Sequence, residues 1–234
     1  MPTYRIADLT VAMESFGRTV RQAEPYLSDE DVTPDITIRS NWRSLKETAP
    51  HLSDEDCEYL STGGSFYRQL VRFDGMMLHS SAVVMDGRAY LFSAPCGTGK
   101  STHTSLWLSE FGDRAYLLND DKPALRRLNG EWFAYGTPWS GKYDKNTNIR
   151  VPLGGICVLR RGETNKIRPF GGFEAIHALL EQTARSRDPE IMQSMLGLLD
   201  ELLRAVPVWR MECNMDPEAA HVSYSAMSSG KLSN

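Results

Sequence analysis

The sequence predicts a mixed α/β fold with a largely antiparallel sheet and a helical C-terminal part, on three observations. Residues 94–102 read APCGTGKST and stand between an apolar run, 89–92, and a segment of helical character, 101–111. That order is strand, glycine loop, helix. Asp86-Gly87 and Asn129-Gly130 each separate two β-prone runs, and such pairs tolerate the positive φ of a tight hairpin turn. The last third of the chain repeats apolar residues at helical spacing. The first hairpin sets an antiparallel neighbour beside the strand that feeds the loop, where doubly wound nucleotide-binding sheets use parallel ones.

The elements follow in order. Tyr4, Ile6, Leu9 and Val11 predict a first strand, and residues 36–39 another. Between them, residues 24–34 are acidic and turn-rich, as a surface loop would be. Ser53 ahead of Asp54, Glu55 and Asp56 predicts a capped helix start. Gly63-Gly64 then makes one helix with a weak point, or two, before Phe66, Leu70 and Val71 resume the apolar face. Residues 76–85 and 88–92 form the first hairpin, residues 115–118 a strand ending in Asn119-Asp120-Asp121, and residues 124–128 and 131–135 the second hairpin. A loop rich in Gly, Pro and Lys, 136–148, leads to a strand at 155–159. Phe173, Ile176, Leu180 and Thr183 share one helical face, and Ile191, Met195, Leu198 and Leu202 another. Asp188-Pro189 and Asp216-Pro217 predict aspartate caps with proline at the first helical position, and residues 208–212 an edge strand. The division expected is a strand-rich recognition segment with a helix, 1–72, ahead of a nucleotide-binding catalytic unit, 73–234.

Bulk properties exclude several classes. Lys and Arg number 26 against 30 Asp and Glu, a net charge of −4, which argues against bulk electrostatic binding to nucleic acid. No apolar run approaches the roughly 18 residues of a membrane span. The first residues, MPTYRIADLT, lack the basic start and apolar stretch of a signal peptide. The four cysteines, Cys57, Cys96, Cys157 and Cys213, are scattered without metal-site spacing or a disulfide framework. A cytoplasmic protein without nucleic-acid or membrane partners is the expectation.

The glycine loop carries the chemistry. Gly97 and Gly99 let successive N–H groups turn toward one anion, and the start of the following helix adds partial positive charge. Lys100 is placed to reach the β- and γ-phosphates of a nucleoside triphosphate, and the Ser101 hydroxyl to ligate Mg²⁺. Cys96, Thr98 and Thr102 complete the cradle. Asp120 and Asp121 end the next strand, which would open at the same sheet edge. One carboxylate there can hold Mg²⁺ and the other accept the proton of an attacking hydroxyl, the assignment staying open. His79, in the strand paired with the one entering the loop, shares a face with Met77, Ser81 and Val83. Lys142 in its glycine-containing loop, and more weakly Arg150, are candidates to close over phosphate, with Arg185 and Arg187 behind them. His103 and Trp107, four apart, are read as packing against each other, with a place near the base as the alternative.

Taken together, Leu78-His79-Ser80-Ser81, the Asp-Gly hairpin, Gly97-Thr98-Gly99-Lys100-Ser101-Thr102 and Asp120-Asp121 resemble the catalytic domain of HPr kinase/phosphorylase, whose P-loop fold is shared with phosphoenolpyruvate carboxykinase. The likeness is closest to stand-alone HPr-kinase-like proteins of bacterial peptide-modification clusters, and it covers residues 76–159 with the helical tail more loosely. It implies ATP- and Mg²⁺-dependent phosphorylation of a serine-type hydroxyl on a peptide, protein or small molecule. It implies roles for Asp120 or Asp121 as base, for Lys100 and Ser101 on phosphate and metal, and for His79 beside the reacting group. Homo-oligomers are a further implication. Two departures stand out. Ala94 replaces the first loop glycine, and NIRVPLGG at 148–155 stands in place of a second glycine-rich segment with a Glu-Arg-Gly core. With those departures the resemblance does not extend to recognition of HPr or to the reverse phosphorylase reaction. A nucleotide-binding regulatory or scaffolding protein is the alternative from another class, and a small-molecule enzyme of the carboxykinase type a third reading.

Overall fold

A computed structural model describes residues 1–29 and 32–229, which form two sheets and their covering helices. The smaller sheet comes first. β1 (Thr3–Ile6) and β2 (Leu9–Met13) pair antiparallel across Ala7-Asp8, both at positive φ, so the single first strand expected over 4–11 is a hairpin. α1 (Gly17–Ala23), a 3-10 turn (Glu24–Tyr26), β3 (Leu27–Ser28) and β4 (Ile36–Ile38) follow, in the sheet order β3-β1-β2-β4. The loop expected over 24–34 is thus structured at its start, and its residues 30 and 31 lie outside the described residues.

α2 (Trp42–Thr48) leads to α3 (Asp54–Leu70), where the Ser53 hydroxyl accepts the Asp56 N–H at 3.0 Å and three acids fill the first turn. α3 is one helix through Gly63-Gly64. A Cβ on Gly63 would lie 2.8 Å from Trp139, so that glycine seats an indole where the sequence suggested a break.

The larger sheet uses β5 (Gly75–Met77), β6 (Ser80–Met85) and β7 (Arg88–Ser93), then α4 (Lys100–Phe111) and β8 (Ala115–Asn119). The run 76–85 breaks at Leu78-His79 because β5 leaves to pair with β9 (Ala124–Leu128) while β6 pairs with β7 and β8. β9 and β10 (Glu131–Tyr135) make the second hairpin across Asn129-Gly130, both at positive φ. β11 (Arg150–Arg161) is more than twice the length expected, because it spans the sheet's branch. Its first residues pair antiparallel with β10, its last six parallel with β13, and β7 lies parallel along the other side. β12 (Lys166–Pro169), α5 (Gly172–Leu180), α6 (Pro189–Ala205), β13 (Val208–Cys213) and α7 (Glu218–Ser228) complete the chain. The sheet is mixed and largely antiparallel, in the order β5-β9-β10-β11-β7-β6-β8.

Three tail expectations need correction. β13 is not an edge strand, because β12 pairs along its outer side. Asp188 caps α6 through the N–H groups of Glu190 and Ile191, but Asp216 does not cap α7: its carboxylate accepts from Asn214 Nδ2 at 2.7 Å and Pro217 takes the cap position. The buried face of α5 is Ala175 and Leu179, leaving Phe173 79% exposed. Met195, Leu198 and Leu202 on α6 are buried as expected, each worth roughly 1.5–3 kcal/mol of burial.

Alternation along the strands divides the core. Ala82, Val84, Leu91, Ile156 and Val158 face α5 and α6. Val83, Met85, Tyr90, Phe92 and Cys157 face α4 and α7. Helices on both faces explain why these strands are unbroken apolar runs. A third cluster joins the small sheet to α3 and Trp139, with Phe66 stacked at 4.9 Å on that indole.

Candidate functional site

β7 delivers the chain to the glycine loop and α4 carries it away. Gly97 and Gly99 take φ of 77° and 120°, and a Cβ at either would meet nothing within 4 Å, so the loop is an open concavity. Cys96, Ser101 and Thr102 are exposed there, with Thr98 half-buried. Lys100 is only 8% exposed, and its ammonium donates to the Ala94 carbonyl at 2.9 Å. Burial draws the Lys100 pKa down, opposed by the charges of Asp121, Cys96 and Asp120. At the loop's outer rim Arg161, the last residue of β11, donates to the carbonyls of Gly97 at 2.5 Å and Thr98 at 3.4 Å.

The second half of the site arrives on β8. β6 lies between β7 and β8 and is antiparallel to both, so the two strands end at one edge, as expected. There the buried Asn119 shapes a turn. Its Oδ1 accepts the N–H groups of Asp121 and Lys122 at 2.9 and 2.8 Å, and its Nδ2 donates to the Thr137 carbonyl at 3.0 Å. Asp120 and Asp121 then diverge. Asp120 Oδ1 accepts from Ser81 at 2.7 Å, and Ser81 meets the Thr104 hydroxyl of α4 at 2.8 Å. Asp121 bonds His79 Nε2 at 3.1 Å and also takes Lys122 Nζ. Burial pushes the Asp121 carboxyl up, but the His79 hydrogen bond and the Lys122 charge outweigh it and hold the group at about 2.

His79 is not within a strand, as the alternation suggested. It sits in the break before β6, where Gln182 fixes it twice: the His79 N–H donates to the Gln182 carbonyl at 2.7 Å, and Nδ1 lies 3.0 Å from Gln182 Oε1. Lys142 is exposed, with its ammonium 5.7 Å from the Tyr143 ring and no contact to either aspartate. The loop bearing it does reach the site, because a Cβ on Gly141 would lie 3.0 Å from Asp121 Cβ. Arg150 instead pairs with Asp8 of the small sheet at 2.7 Å, far from phosphate duty. His103 and Trp107 pack as expected, both bonding Ser223 of α7.

Sequence reasoning missed Arg161, Ser81, Thr104, Lys122 and Gln182 as parts of the site. Lys122 follows the aspartates directly and was within reach. Arg161 grips backbone carbonyls, which leave no mark in side-chain patterns, and Gln182 stands 103 positions from its histidine. Among the described residues no group of three or more His, Cys, Asp or Glu side chains could hold a metal ion by itself. All four cysteines are free.

Residues 52–215 match the family described as SynChlorMet cassette protein ScmC. The chain belongs to that family. The ScmC match runs from the start of α3 to just past β13, so it holds the loop, His79, the aspartate pair and Arg161, and leaves the small sheet and α7 outside. No curated protein matches the chain. Among solved structures, the Hpr(Ser) kinase/phosphatase from Coxiella burnetii is similar with 10% identity and a TM-score of 0.39, over 64% of this chain and 95% of that one.

Proposed function

We propose that this ScmC-family chain is an ATP-dependent kinase that transfers the γ-phosphoryl group to a serine-type hydroxyl of a peptide, protein or small molecule. The reading rests on one observation. A lysine at the start of α4 shares its surroundings with two carboxylates just past β8, one of which, Asp120, is tied to the same helix through Ser81 and Thr104. Loop N–H groups, the α4 N-terminus and Lys100 would bind the phosphates once Lys100 leaves the Ala94 carbonyl. Ser101 and Asp120 suit Mg²⁺, offering hard oxygen donors, with one Asp120 oxygen already fixed by Ser81. No larger protein cage is needed, since Mg²⁺ ordinarily takes one or two carboxylates plus phosphate oxygens. When bound, the ion would neutralise charge on the phosphates.

In the transfer, a bond forms between the acceptor oxygen and the γ-phosphorus, and the bond to the β,γ-bridging oxygen breaks to release ADP. The hydroxyl proton passes to a carboxylate. Asp121 fits that place, held ionised beside His79, and His79 orients it through Gln182. A cleft of about 480 Å³ between Ala94-Pro95 and α5 includes Gln182 in its wall and offers the acceptor a route to this edge. Residues 1–72 would then contribute acceptor recognition and residues 73–234 the transfer unit.

The test is transfer from γ-labelled ATP with Mg²⁺ to candidate peptides and free serine, run beside Asp120→Asn, Asp121→Asn and the double variant. Label on a hydroxyl, lost in the variants, is the expected result. Tight ATP binding without labelling of any acceptor favours a nucleotide-binding regulator, a reading to which the double pairing of Asp121 by His79 and Lys122 lends some support.

A further inference from the structure

We propose that a cavity on the outer flank of the glycine loop receives the nucleobase of the bound triphosphate; this rests on the loop being a phosphate cradle. The cavity is about 430 Å³, within the roughly 300–1,000 Å³ of small-ligand sites. Four pieces of chain enclose it: loop residues 97–99, the first turns of α4 through Thr102, His103 and Leu106, the end of β11 through Arg161, and the end of β13 with the turn after it through Cys213 and Met215. None of the aspartates, His79 or Lys100 borders it.

Position fixes which part of a nucleotide would lie there. Thr102 and Leu106, four apart, share one flank of α4, whereas Thr104 lies about 200° around the helix from Thr102, on the flank tied to Ser81 and Asp120. The loop therefore separates the cavity from the carboxylates. A phosphate chain lying along the loop with its terminal group at Asp120 and Asp121 points its nucleoside end into the cavity.

The walls suit a flat uncharged ring. Met215 is 76% exposed, a large apolar side chain with no packing reason to stand in solvent. Leu106, half-buried, lies on the α4 wall. His103, on the α4 wall, is buried, with its Nε2 3.0 Å from the Ser223 hydroxyl. The Arg161 contacts with the loop carbonyls brace the rim between cavity and cradle.

The experiment measures binding of ATP and of inorganic tripolyphosphate, each with Mg²⁺, to wild type, Met215→Ala, Met215→Leu and Leu106→Ala by calorimetry. Wild type should bind ATP at least about ten-fold more tightly than tripolyphosphate, the excess being the base. Met215→Ala and Leu106→Ala should weaken ATP by about three- to ten-fold and leave tripolyphosphate within about two-fold, with Met215→Leu restoring ATP. Equal wild-type affinity for the two probes, or variants that weaken both alike, overturns the base pocket and leaves the cradle standing. If wild type binds neither, the cradle fails and the pocket with it.

Discussion

Asp121 is held by three neighbours of different kinds: a histidine ring, an ammonium and the amide of Asn119. Its folded pKa of about 2 lies below the ordinary 3.8, so its stabilisation is present above 3.8 and lost as pH falls through 2. Asp121→Asn keeps the shape and removes the charge, and the expected loss of acceptor labelling is about 10²-fold or more. Unchanged labelling would remove Asp121 from the reaction. Glu58 behaves oppositely. Burial raises it from 4.5 to about 7, more than the Thr19 hydrogen bond lowers it. Between those values the folded chain keeps a proton that the unfolded chain has released, so stability falls as pH rises from 4.5 to 7. Urea midpoints at pH 5 and pH 8 should differ less in Glu58→Gln than in wild type, and an unaltered gap would refute this account. At this scale the sequence is readable where candidate side chains stand in a motif with fixed spacing. Lys100 and the aspartates lie where spacing placed them. Arg161 was hidden because its partners are carbonyl oxygens, and the direction of Lys142, exposed beside Tyr143, leaves no local sign in the sequence.

Turn chemistry made the elements legible. Asp86-Gly87 and Asn129-Gly130 close hairpins with both central residues at positive φ, the geometry those residue pairs favour. Ala7-Asp8 does the same without glycine, which is why β1 and β2 read as one strand. The adjacent glycines of α3 make a sharper test. Gly63→Ala should destabilise by about 1–3 kcal/mol, since its methyl meets the buried Trp139 ring at 2.8 Å. Gly64→Ala meets only the mobile end of Arg68 at 3.2 Å and should be neutral or stabilising by up to about 1 kcal/mol through helix propensity. Urea unfolding of the two variants decides it, and equal losses would contradict the seat assigned to Trp139.

Across the whole molecule, the unpredictable feature is pairing between distant segments. Nothing local in residues 150–161 says that one end borrows β10 and the other β13. The joint between the two sheets is equally non-local: Trp139 packs on Phe66 and Tyr67, and Tyr135 bonds Asp8 of the β1–β2 turn at 2.8 Å. A fragment of residues 73–234 would expose Trp139, Ala124 and Tyr135, which are all buried in the shared cluster. It should lose cooperative thermal unfolding by circular dichroism, and a fragment that melts as sharply as the full chain would show that the joint is dispensable. No helix among the described residues is long and apolar enough to cross a membrane.

The branch at β11 also sets a timetable for biosynthesis. β7, which feeds the glycine loop, gains its outer neighbour only when residues 153–158 have been made, and the far half of β11 waits for residues 208–213. Until then Arg161 has no anchored strand from which to hold the loop. Translation runs from the N-terminus, so the loop emerges early and its scaffold closes among the last strands. A nascent chain therefore carries the glycine loop unbraced until β13 has been made, and a chain cut short before Val208 has the loop without its clamp.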